Sequence, residues 1–178
     1  MGREIIVQIR DRSRNFQVMD EDYVCGRDDA TTYIANLVYA KRETLPNVNE
    51  DDLEGIELNN RYSLIFDIND KEQFHELSNI CNNLKEYADK DNAEINKAKE
   101  TLADLKIARR NCSIYEEFEK FSDAIDTTEE WLENEDYSRA GSLLDMINDC
   151  RRMIENQNTP ESTLPANGKY EIVIILSE

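Results

Sequence analysis

Carboxylate side chains are concentrated between Glu116 and Asp136, where ten of 21 residues are Asp or Glu and only Lys120 is basic. The stretch has a net charge of −9, half of the chain's formal charge of −18. As a helix it would be about 31 Å long, with one net charge per about 3.5 Å. That is close to the spacing of about 3.4 Å between phosphates along one strand of duplex nucleic acid. The stretch therefore predicts a surface that mimics nucleic acid, or else an ordinary solvated helix face.

On the first interpretation, the predicted partner-binding residues are the ten acids and the single tryptophan: Glu116, Glu117, Glu119, Asp123, Asp126, Glu129, Glu130, Trp131, Glu133, Glu135 and Asp136. Four of the acids follow one another at three- and four-residue steps and so share one helix face: Glu119, Asp123, Asp126 and Glu130. Tryptophan is a frequent interface anchor. A helical hairpin would also bury an aromatic side chain, so an interface role and a core role for Trp131 both stay open.

The sequence contains no catalytic motif. His75 is the only histidine, and five glycines form neither a phosphate-binding loop nor a nucleophile elbow. The acidic segments at 20–29 and 47–52 lack the glycine and glutamate spacing of a calcium-binding loop. We therefore predict no enzyme activity, no cofactor and no metal site.

The overall charge favours a basic protein as partner. With 39 acidic and 21 basic residues, the chain is expected to bind neither nucleic acid nor an anionic membrane directly. Its four cysteines show no CxxC spacing, which is typical of reduced thiols. No signal-peptide-like start and no run of about 20 apolar residues is present, so a cytoplasmic location is predicted.

A basic cluster surrounds the first turn, at Arg3, Arg10, Arg12 and Arg14. It has the chemistry to hold an acidic partner or a phosphate group. Given the charge balance of the chain, we expect it instead to pair with the chain's own acidic loop, 50–57.

Alternating apolar residues predict four strands. Residues 4–10 and 16–18 form a hairpin around a polar turn, 62–68 form a third strand and 170–176 a fourth. The fourth strand is apolar on both faces, which is typical of a central strand. A helix is predicted at 30–42, followed by a polar loop at 43–60.

A long helical insertion lies between the third and fourth strands. Apolar positions separated by three and four residues predict a coiled-coil seam in a helix over 71–110, interrupted only by Asp91: Phe74, Leu77, Cys81, Leu84, Ala88, Asp91, Ile95, Ala98, Leu102 and Leu105. Residues 118–154 supply the returning helical segment. Residues 131–147 resemble the turn and second helix of a tetratricopeptide hairpin, which supports a turn there; the repeat of about 34 residues does not recur.

Together these patterns predict an α+β fold: a small antiparallel β-sheet formed by the N- and C-terminal strands with a helix, plus a long inserted antiparallel helical arm. The predicted domains are 1–70 with 168–178 for the sheet, 71–157 for the arm and 158–167 for a linker. The middle of the seam is poorly apolar, at Ala88, Asp91 and Ala98, which indicates close helix packing or a gap that a second copy fills.

Two functions are consistent with this architecture. The first is a non-enzymatic inhibitor or regulator of a basic nucleic-acid-handling protein, by analogy with small acidic anti-defence proteins of phages and mobile elements. The alternative is a coiled-coil adaptor or structural protein, with a possible homodimer through the helical arm and with the charge serving only solubility.

Overall fold

The computed structural model describes residues 2–135 and 137–178, and its fold is α+β as predicted. The strands are β1 (Arg3–Asp11), β2 (Gln17–Gly26), β3 (Ser63–Phe66) and β4 (Tyr170–Ser177). The α-helices are α1 (Asp29–Glu43), α2 (Ile56–Arg61), α3 (Lys71–Asn111), α4 (Tyr115–Glu135) and α5 (Arg139–Glu155). Short 3-10 turns lie at Arg12–Arg14 and Glu50–Asp52.

The four strands form one antiparallel sheet in the order β2-β1-β4-β3. Strand β4 is central, as its apolar residues on both faces predicted. In the register of β1 and β4, Val7 lies opposite Ile174 and Ile9 opposite Ile172, and all four side chains are buried. The alternation of β1 therefore supplies one core face of the sheet.

Helix α1 begins where the sequence predicted, because the Asp28 side chain caps it by accepting a hydrogen bond from the Thr31 amide at 2.8 Å. The segment 43–60, predicted as a polar loop, is only partly a loop. The segment contains the turn at Glu50–Asp52, capped by the Asn49 side chain, and helix α2. Gly55 precedes α2 with a φ of 57°, a conformation that glycine adopts without strain. These short elements have too few apolar residues for a periodic signal.

Contacts divide the chain into two compact units. The sheet unit runs to Tyr87 and resumes at Arg139, and the helical unit runs from Ala88 to Ser138. In the sheet unit α1 and α5 contact the strands. The first half of α3 joins them, with the Arg151 guanidinium 4.8 Å from the Phe74 ring centroid. The predicted domain boundaries at 71, 158 and 168, between the sheet, the arm and the linker, stay a prediction.

The helical unit is an antiparallel pair formed by the second half of α3 and by α4. The predicted helix over 71–110 is confirmed, and its return is split between α4 and α5. Asp91, the polar residue in the seam, accepts a hydrogen bond from the Ser138 hydroxyl at 2.7 Å. The interruption of the apolar pattern therefore coincides with a part-buried polar contact at the end of this unit.

Candidate protein-binding surface

Helix α4 turns one narrow apolar face toward α3. Phe121, Ile125, Thr128 and Leu132 follow each other at three- and four-residue steps, and Ile125 is fully buried. Two polar contacts border this face. Lys106 Nζ lies 2.7 Å from the carboxylate of Glu129, and Arg109 donates to the Ser122 hydroxyl at 3.5 Å. The apolar face of α4 is therefore the counterpart of the predicted seam on α3, and its one polar position is Thr128.

The opposite face of α4 is a row of exposed carboxylates, which we call the acidic stripe. Its six members alternate at steps of three and four residues: Glu116, Glu119, Asp123, Asp126, Glu130 and Glu133. At about 1.5 Å per residue, successive carboxylates are about 5 Å apart along the helix. The structure thus extends the predicted four-residue face by one acid at each end.

The remaining predicted residues lie off the stripe. Glu117 is exposed near the start of α4, where the Cys112 thiol approaches its carboxylate at 3.8 Å. Glu129 and Glu135 are half-buried, and Glu129 pairs with Lys106. Asp136 lies outside the described residues. The structure therefore brings six of the ten predicted acids into one continuous row.

The charge of the helical unit is strongly asymmetric. Helix α4 contains nine acids and one base, a net charge of −8. Residues 88–111 of α3 contain five acids and six bases, a net charge of +1. Because α3 offers so little compensating charge, the negative potential of the unit is concentrated on the outer side of α4.

Trp131 borders an apolar groove of about 450 Å³ between α3 and α4. The indole side chain is 39% exposed. Small or short side chains on both helices, together with Glu94 and Lys97, form the other walls: Ala98, Thr101, Thr127 and Thr128. The hydroxyls of Thr127 and Thr128 donate to backbone carbonyls one turn earlier in α4, which leaves the walls mainly apolar.

Sequence reasoning identified Trp131 but missed the groove. Its signal was Ala98, a small residue in the seam that predicted either close packing or a gap. Helix α4 contributes Thr128 to the groove, and this side chain is smaller than those of its seam neighbours Ile125 and Leu132. The way α3 and α4 pair was needed to see that Ala98 and Thr128 line one groove.

The predicted homodimer through the seam stays a prediction. The seam residues Leu84 and Ile95 are already buried within this chain. Exposed apolar side chains cluster instead near the connection between α3 and α4, at Ile107, Ile114 and Tyr115. A homodimer that leaves the seam intact would use such an exposed surface.

The prediction that the arginine cluster pairs with loop 50–57 was wrong. Each arginine lies within 4 Å of a carboxylate elsewhere in the sheet unit: Arg3 with Glu178, Arg10 with Glu171, Arg12 with Asp67 and Arg14 with Asp11. The reason is the register of β1 with β4, which places Glu171 directly opposite Arg10. Each of the four guanidinium groups therefore has a carboxylate partner within the chain.

Glu50 pairs with two other arginines and borders a polar cavity of about 640 Å³. Arg42 donates to Glu50 Oε1 at 3.1 and 2.5 Å, and Arg61 Nε lies 3.5 Å from the same oxygen. The Tyr62 hydroxyl also donates to Glu50, and this hydrogen bond, with Arg42, lowers the pKa of Glu50. The two guanidinium groups are thus engaged by the chain's own carboxylate.

No metal-binding or membrane-spanning element is found in the described chain. Across residues 2–135 and 137–178, no three His, Cys, Asp or Glu side chains are grouped so that they would hold a metal ion. No helix in these ranges combines the length and hydropathy needed to cross a bilayer. His75 is exposed near the start of α3.

The four cysteines are unpaired and differ in accessibility, which gives a prediction for the sheet unit. Cys25 is exposed, whereas Cys81 and Cys150 are buried. Burial raises the pKa of Cys81, and burial with nearby aspartates raises the pKa of Cys150 to about 12. Since the thiolate is the nucleophile, we expect a thiol reagent at about pH 8 to modify Cys25 rapidly and Cys150 only on unfolding.

Peptide mapping of the modified protein by mass spectrometry measures this difference directly. Cys25→Ser serves as the control, because it removes the most exposed thiol without changing the core, and peptide mapping distinguishes it from the half-buried Cys112. Equal modification rates of Cys25 and Cys150 in the folded protein would contradict the packing of α5 against the sheet.

Comparison of the chain with protein-family models, with curated proteins and with solved structures found no match. The functional argument therefore depends on the acidic stripe and the groove beside it.

Proposed function

We propose that this chain is a non-enzymatic binding protein whose acidic stripe engages a basic, nucleic-acid-handling protein in the cytoplasm. The observation that supports the proposal is the row of six exposed carboxylates on a helix whose neighbour contributes almost no compensating charge. Such a row is electrostatically complementary to a surface that binds phosphates. Occupation of that surface would inhibit or regulate the partner.

The spacing of the charges supports a partner that handles nucleic acid. The carboxylates of the stripe follow one another at about 5 Å along the helix, compared with about 3.4 Å between the phosphates of a single nucleic-acid strand. A partner with an extended basic groove would meet a regular row of negative charges along the whole of α4. Proteins of the phage or mobile-element anti-defence type use acidic surfaces in this way, and we extend that role to this chain by analogy.

A second candidate is an adaptor that assembles through apolar contacts of the helical unit. The exposed side chains of Ile107, Ile114 and Tyr115 favour it, because clustered exposed apolar groups often mark interaction sites. In this case the charge of α4 would maintain solubility. Binding would then persist at high salt.

The proposal is tested with a stripe variant that neutralises four acids without changing side-chain size: Glu119→Gln, Asp123→Asn, Asp126→Asn and Glu130→Gln. We expect partners captured from a bacterial lysate by the wild-type chain to be lost, and purified partners to bind roughly 100-fold more weakly at low salt. Added duplex DNA should release the bound partner, because both compete for one basic surface.

The matched control neutralises four exposed acids of α3: Glu76→Gln, Glu86→Gln, Glu100→Gln and Asp104→Asn. Both variants have the same net charge of −14, so a general charge effect would weaken them equally. Equal capture by the two variants, with partners that resist both salt and DNA, would overturn the proposal and favour the adaptor.

A further inference from the structure

We infer that the groove beside Trp131 receives a bulky apolar side chain from a basic amphipathic helix of the partner. The inference rests on the proposed function and adds to it a specific anchoring site. It assigns the acidic stripe to charge attraction and the groove to side-chain recognition.

The groove is lined by one small seam residue from each of the two helices. On α3, Ala98 lies between the seam residues Ile95 and Leu102, and on α4, Thr128 lies between Ile125 and Leu132. The groove has a volume of about 450 Å³ and is open to solvent, so it marks a space beside the seam that this chain does not fill. Partial exposure of Trp131 leaves an aromatic wall open to a ligand.

The shape of the groove fits a helix. Its α3 wall runs from Glu94 to Thr101, about 10 Å or two helical turns, and its α4 wall includes Thr127 and Trp131. A third helix laid along two antiparallel helices presents side chains at i, i+3 or i+4, and i+7, with the same axial repeat. A single large side chain of such a helix enters the space beside Ala98.

The charges around the groove fit a basic helix. Asp123 and Glu130 of the acidic stripe lie four residues before and three residues after Thr127, on the adjoining side of α4. Glu94 adds a carboxylate on the α3 wall. Among the described lining residues Lys97 is the one cation. Lysine or arginine side chains on both sides of the apolar anchor would therefore meet carboxylates.

The test uses the full chain and a synthetic lysine-rich helical peptide that contains one phenylalanine and no tryptophan. Trp131 is the only tryptophan of the chain, so its emission reports on the groove directly. We expect the peptide to shift the emission to shorter wavelength. Replacement of the phenylalanine of the peptide by alanine should weaken binding about tenfold or more, because it removes the buried anchor.

Ala98→Phe fills the groove from within the protein. It should weaken binding of the phenylalanine peptide about tenfold and change binding of the alanine peptide little. Ala103→Phe is the matched control, since Ala103 is exposed on another face of α3. The peptide comparison keeps the inference falsifiable even if Ala98→Phe does not fold.

Equal binding of the two peptides, or of the Ala98→Phe and Ala103→Phe proteins, would overturn the groove assignment. If the stripe variant still loses its captured partners in that case, the proposed function stands without the groove. If the stripe variant captures partners and binds the peptide as the wild type does, the proposed function and the groove assignment are both overturned. A wavelength shift that depends on protein concentration without peptide, together with dimers in sedimentation, would show that a second copy occupies the groove and overturn the assignment to a partner helix.

Discussion

Asp11→Ala is expected to lower the free energy of unfolding by about 3 kcal/mol, because it removes a buried carboxylate that accepts several hydrogen bonds. The Asp11 side chain is 0% exposed at the end of β1. Its Oδ1 accepts from the Ser13 amide at 2.9 Å, the Ser13 hydroxyl at 2.6 Å and the Lys169 amide at 3.1 Å. The carboxylate therefore fixes the turn after β1 and the approach to β4 at once.

The same contacts make stability depend on pH. Burial opposes ionisation of Asp11, but the hydrogen bonds from Ser13 and Lys169, with Arg14, outweigh it and lower the pKa of Asp11. The folded state thus binds this proton less readily than the unfolded state. The contribution of Asp11 is fully present above its unfolded pKa of about 3.9 and is lost as the pH falls through the lower folded value.

Urea denaturation of the wild type, Asp11→Ala and Asp11→Asn at several pH values measures both effects. Asp11→Asn retains an oxygen acceptor and is expected to cost less than Asp11→Ala, while it removes the part of the pH dependence below about 4 that comes from Asp11. Asp29→Asn is the comparison, because Asp29 is an exposed aspartate in the first turn of α1. A loss of stability that is equal for Asp11→Asn and Asp29→Asn would show that the buried network does not hold the turn.

The burial of Asp11 and Arg10 marks a limit of sequence reasoning. Alternation in β1 and β4 predicted the strands and the central place of β4, because apolar residues on both faces have no other stable location. The same pattern assigns charged residues to solvent. Arg10 is nevertheless only 2% exposed, because it faces Glu171 across the strand pair at 3.2 Å. Strand order, which brings these two together, is not encoded locally in either strand.

Spacing within one helix could be predicted, whereas packing between helices could not. Steps of three and four residues placed Glu119 and Asp123 on one face of α4, and the structure confirms that face. The partner-binding role of the stripe stays a prediction. The groove beside Trp131 is lined by residues of both helices, including Ala98 and Thr128, so it could be found only once the pairing of α3 with α4 was known.

Ile125→Ala is expected to destabilise the helical unit by about 3 kcal/mol, since it removes a fully buried side chain and leaves a cavity. Ile125 is 2% exposed, and within the described residues of α4 it is the one buried side chain. Ile107→Ala is the matched control. Ile107 is 54% exposed in the same unit, so the identical substitution there should cost less than about 0.5 kcal/mol.

Amide hydrogen exchange separates the two compact units in this experiment. Ile125→Ala should reduce protection in α4 and in the second half of α3, while the amides of β1 and β4 retain theirs. Such a result would show that the helical unit opens without the sheet unit. An equal loss of protection in β4 would show instead that the chain unfolds as one cooperative structure.

The dependence on Ile125 follows from the charge of α4. Like charges three and four residues apart destabilise an isolated helix, and the acidic stripe contains such pairs throughout, including Glu119 with Asp123 and Asp126 with Glu130. The narrow apolar face centred on Ile125 must offset this repulsion. Salt screens the repulsion, so rising salt should increase amide protection in α4 while it weakens binding of a basic partner. Opposite salt dependences of these two measurements would therefore identify the stripe as both a cost to folding and the source of affinity.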